Sequence, residues 1–63
     1  MTLIEFHVHN SGTHISVNPD AIECIGEFGD DKERHAFLKY MDGSSVELKE
    51  TYEAVVTALK RNA

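Results

Sequence analysis

Over residues 3–9 the chain alternates, with Ile4, Phe6 and Val8 on one side and Glu5, His7 and His9 on the other. That is the period of a half-buried β-strand. After Asn10-Ser11-Gly12, a turn signal, Ile15 and Val17 resume the same alternation, so the two segments predict a hairpin. With Ser11 and Gly12 as its two loop residues, Val8 faces Ile15, Phe6 faces Val17 and, on the outer side, His9 faces His14.

Asn18-Pro19-Asp20 interrupts the pattern with a turn-capping side chain followed by a fixed φ, which predicts a single helical turn. Residues 22–28 read as a third strand in which Ile22, Cys24 and Ile25 break strict alternation. Either both faces are covered or a bulge lies near Glu23-Cys24, and the bulge is the favoured reading. The six polar residues 29–34 predict a solvated loop, the segment most prone to disorder. Residues 35–40 alternate again, with Ala36, Leu38 and Tyr40 opposed to His35, Phe37 and Lys39. A three-residue Asp42-Gly43-Ser44 loop would then pair Tyr40 with Val46 and Leu38 with Leu48. From Thr51 the period lengthens: Tyr52, Val55, Val56 and Leu59 form one helical stripe, with Thr51 as N-cap and Lys60 and Arg61 at the far end.

The expected architecture is α+β, a small antiparallel β-meander of about five strands, open to curling into a barrel, with one C-terminal amphipathic helix. Residues 1–63 form a single domain on this reading, since 63 residues leave no room for a second. Area bookkeeping gives roughly 90 kcal/mol of apolar burial against roughly 95 kcal/mol of conformational entropy. A balance so close to zero calls for outside support, and the lone Cys24 rules out an internal disulfide. A homo-oligomer, or an unknown protein partner, is therefore expected.

Charge narrows the classes further. Eleven acidic residues against six basic ones leave a net charge of −5, which repels a phosphate backbone and argues against nucleic acid as a partner. No apolar run approaches the roughly 18 residues of a membrane span, and the first residues do not read as an export signal, so no membrane insertion is expected. A single cysteine, read as a small packed hydrophobe, fits a cytoplasmic location.

The string from Ile15 to Ile25 (Ile-Ser-Val-Asn-Pro-Asp-Ala-Ile-Glu-Cys-Ile), then Asp42-Gly43, then Val46 to Val55 (Val-Glu-Leu-Lys-Glu-Thr-Tyr-Glu-Ala-Val) resembles the FlbD family, also called SwrD-like. The resemblance spans roughly residues 12–60. It implies a small bacterial accessory protein of the cytoplasm and carries no catalytic residues across. The chain departs from the family pattern in its histidine-rich first hairpin and its acidic loop. A more distant similarity, in outline only, is to LytTR-type DNA-binding domains, although no basic strip accompanies it.

The chemistry-bearing residues are mostly histidines. His7, His9 and His14 share one face on the register above and are candidate ligands for zinc, nickel or copper, with Glu5 as a fourth ligand or an orienting group. The same positions also read as exposed sheet residues or as packing at a subunit contact. Phe37, set among His35 and Lys39, joins His9 and His14 as an interface candidate, unless the helix or the third strand covers it. Cys24 lies in an apolar strand, Asp30 and Asp31 in a polar loop, and Gly26 and Gly29 lack the lysine of a phosphate loop. No catalytic residue and no cofactor is assigned beyond the zinc reading, and a non-enzymatic protein is expected.

Overall fold

The computed structural model describes residues 2–61. Strands β1 (Ile4–His7) and β2 (His14–Val17) form one antiparallel sheet. A 3₁₀ turn (Pro19–Ala21) leads into β3 (Ile22–Gly29), β4 (Arg34–Tyr40) and β5 (Ser45–Glu47), which form a second sheet in the order β3-β4-β5. Helix α1 (Tyr52–Arg61) closes the chain. The α+β class and the five strands agree with the sequence pattern, but the strands do not make one continuous meander. A single bridge, Val8 to Leu48, joins the sheets. It is flanked by His9 N–H donating to the Glu47 carbonyl and Lys49 N–H to the His7 carbonyl, each at 2.9 Å. Among the described residues β2 and β3 do not pair, so the sheets do not close into a barrel.

Both hairpins keep the expected faces and depart from the expected register by two residues. In the first, Phe6 pairs with Ile15, Ile4 with Val17 and His7 with His14. The loop is longer than two residues because Val8 N–H donates to the Thr13 carbonyl and Gly12 N–H to the Val8 carbonyl, with Gly12 at φ +68°. In the second, Leu38 pairs with Val46 rather than Leu48. The loop there is Met41-Asp42-Gly43, closed by Tyr40 N–H to the Ser44 carbonyl and Gly43 N–H to the Tyr40 carbonyl. Gly43 at φ +93° takes the left-handed position that a turn of this kind reserves for glycine. Asp42 tightens it by accepting from the Ser44 hydroxyl and N–H, which holds its carboxyl below the usual range.

The remaining turns follow local chemistry. Asn18 caps the 3₁₀ turn by accepting from Asp20 N–H at 3.0 Å, as its side chain predicts. The loop expected over 29–34 is shorter, because Gly29 ends β3 and Arg34 opens β4, and between them the Asp30 carboxylate accepts from the N–H groups of Glu33 and Lys32.

The bulge falls where alternation breaks. Between Ile22, paired with Tyr40, and Cys24, paired with Lys39, the register shifts, so Glu23 is the extra residue. Ile22 and Ile25 thereby both reach the core. Cys24 does not: it is exposed, contrary to its reading as a packed hydrophobe, because the bulge places it opposite solvent-facing Lys39.

The core consists of Ile4, Phe6, Val17, Ala36, Leu38, Leu48 and Val55. Leu48 is buried without lying opposite Leu38, since Leu48 N–H donates to the Ala36 carbonyl. The helix contributes Val55, with Ala58 and Leu59 packed against the cluster. Its expected stripe loses Tyr52, which is 37% exposed, and Val56, which is half-buried outside the cluster, its place being taken by Ala58. In the first turn Tyr52 lies at the sheet rim beside polar residues, with Glu27, Asp31 and Arg34 around the same depression. Thr51 serves as N-cap, its hydroxyl accepting from Ala54 N–H at 3.2 Å.

Candidate functional site

The fold sorts the four histidines into two pairs. Val8 N–H donates across to the Thr13 carbonyl, so the adjacent His7–His14 pair is of the non-hydrogen-bonded kind, where side chains stand closest. The two rings are 4.4 Å apart between centroids, inclined by 54°. At such a position the His7 N–H points away from β2, and there it meets Glu50, whose two carboxylate oxygens accept it at 3.0 and 3.2 Å. The same carboxylate lies 2.8 Å from His7 Nδ1. Burial alone would raise the Glu50 carboxyl, but the hydrogen bonds from the His7 ring and backbone outweigh it and hold the group below its usual 4.5. On the partner ring, His14 Nδ1 lies 3.1 Å from the Glu5 carboxylate.

His9 leaves this group. Because the strand ends at His7, His9 turns within the loop and packs on the outer face of the second sheet. It meets Phe28 edge-on at 5.0 Å and His35 at 4.5 Å. His35 is fixed by donating from Nδ1 to the Lys49 carbonyl at 2.7 Å. The His9 Nδ1 atom is buried with no hydrogen-bond partner. The register that set His9 opposite His14 is thus corrected: the fold brings together His7 and His14, and His9 and His35, but not the trio His7, His9 and His14. Among the described residues no three His, Cys, Asp or Glu side chains are grouped to hold a metal ion.

Phe37 is half-buried. Its ring lies across Gly26, directly opposite on β3, so the third strand rather than the helix covers it. Phe28 and His35 pair on the same two strands, two positions further along. The outer face of β3 and β4 therefore presents a partly covered row of Phe37, His35, Phe28 and His9.

Glu50 and His35 carried no signal in the sequence that tied them to the first hairpin. Glu50 stands 43 residues from His7, and only the seam between the two sheets brings them together. Two of the basic side chains stand among acids, Arg34 near Glu27 and Asp31, and Lys39 near Glu23. No described helix is long and apolar enough to cross a membrane. Comparison of the chain with protein families, with curated proteins and with solved structures finds no match.

Proposed function

We propose that the chain is a small non-enzymatic accessory protein of the FlbD-like type, working in the cytoplasm through protein contacts and first of all with copies of itself. The observation that carries this reading is the open edge of β3. It is the longest strand, at eight residues, and it pairs on one side only, with β4. An open strand edge offers unpaired backbone donors and acceptors to another chain. The energetic need points the same way. The folded chain leaves 4334 Å² accessible, close to the roughly 4,100 Å² expected from its mass, so the near-zero balance of burial and entropy is unchanged. The exposed thiol of Cys24 suits a reducing compartment, where such groups stay free.

Cys24 also supplies the test, being the chain's single cysteine and standing on β3. Antiparallel pairing of two β3 edges about their midpoint would bring two nitroxide labels at Cys24 to within about 15 Å, given a rise of about 3.4 Å per residue and a strand spacing of about 4.8 Å. Sedimentation should report at least two chains, with dipolar broadening of the label. A monomer at high micromolar concentration would remove the reading. An oligomer without broadening would move the contact away from β3.

A further inference from the structure

We infer that His7 and His14 form a two-imidazole site for a divalent transition-metal ion such as Zn²⁺ or Ni²⁺, with Glu50 and Glu5 as its orienting groups. The inference is independent of self-association. It starts from which nitrogen each carboxylate meets: in both rings it is Nδ1. A carboxylate only accepts, so each neutral ring places its proton on Nδ1 and its lone pair on Nε2. A carboxylate behind the imidazole is the arrangement that fixes tautomer and ring direction at histidine metal sites. Here it occurs on both members of a cross-strand pair.

The spacing fits one ion. With metal–nitrogen distances of about 2.0–2.1 Å, two imidazoles on one ion have centroids about 4.5–5 Å apart for angles at the metal of about 90–105°. The observed separation is 4.4 Å, at the short end of that range. Access is open as well, with 42% of the His7 side chain and 62% of the His14 side chain exposed. The other pair has the same ring spacing, at 4.5 Å, but neither the two carboxylates nor the access. His9 has its Nδ1 buried and unpartnered, and the His35 side chain is only 20% exposed. With two protein ligands, water or an external donor completes the coordination, and the softer imidazole nitrogens favour Zn²⁺ and Ni²⁺ over Mg²⁺ or Ca²⁺.

Calorimetric titration of the full chain with Zn²⁺ and with Ni²⁺ tests this. Saturable binding is expected, lost in His14→Gln and retained in His35→Gln. Glu5→Gln should weaken binding by about tenfold, in line with removal of an orienting carboxylate elsewhere. A thermal melt without metal checks that His14→Gln, altered at an exposed position, still folds. Absence of saturable uptake by the parent, or equal uptake by folded His14→Gln, would overturn the assignment. Loss of binding in His35→Gln with retention in His14→Gln would do the same.

Discussion

The ring of Phe37 fills the place that a β-carbon on Gly26 would occupy, across the β3–β4 ladder. The glycine is thus needed for a side chain on the next strand rather than for its own backbone angles.

Gly26→Ala should therefore destabilise the fold by about 1–3 kcal/mol, the usual range for overpacking. Shrinking the ring makes room, so the double variant Gly26→Ala with Phe37→Leu should be more stable than the two single effects added together predict. Denaturant titration of the four proteins measures the coupling, and additive effects would mean that the ring does not rest on Gly26.

The helix offers a graded series. Val55 is fully buried while Tyr52, one turn earlier, is 37% exposed. Val55→Asp buries an unpaired charge and should cost several kcal/mol, enough to abolish cooperative unfolding in a domain of this size. Tyr52→Ala should cost less than about 1 kcal/mol, as surface changes usually do. Between them, Thr51→Ala removes the cap on Ala54 N–H and should cost about 0.5–2 kcal/mol. Thermal melts that rank Tyr52 above Val55 would reverse the assigned helix face.

Acid should loosen the seam between the sheets at Glu50. Folding holds this carboxyl below 4.5 through the ring and backbone N–H of His7. The unfolded chain then binds more protons as the pH falls, so the stability Glu50 contributes is present above 4.5 and is lost as the pH drops through the lower folded value. Asp30 and Asp42, also lowered by hydrogen bonds within their turns, act in the same direction. Glu50→Gln should reduce stability at neutral pH and flatten the decline below pH 4.5. A decline of unchanged steepness in that variant would show that Glu50 is not its source.

The two hairpins show how far residue pattern reaches. Ile4, Phe6, Val17 and Leu38 occupy the core as their alternation requires, because side-chain parity survives any shift of two residues. That same invariance hides the register: Phe6 opposite Val17 and Phe6 opposite Ile15 satisfy the pattern equally well. Loop closure decides, through hydrogen bonds at Gly12 and Gly43 that depend on where the strands stop. The histidine site inherits the difference. A shift of two residues replaces His9 by His7 opposite His14, and the groups that orient His7 come from the far end of the chain. The bulge at Glu23 was readable because it breaks parity instead of preserving it.

The seam also sets an order of assembly. Within each sheet the strands meet across short loops, which close quickly and at little entropic cost. Joining the sheets is different, because the Val8–Leu48 bridge and the Glu50 hydrogen bonds to His7 span 40 or more residues. Such contacts must be closed before they are rewarded, and folding is slower where contacts of long sequence separation dominate. The local hairpins are therefore expected to form first, with folding limited by the encounter that places the first hairpin against the segment 48–50 between β5 and the helix.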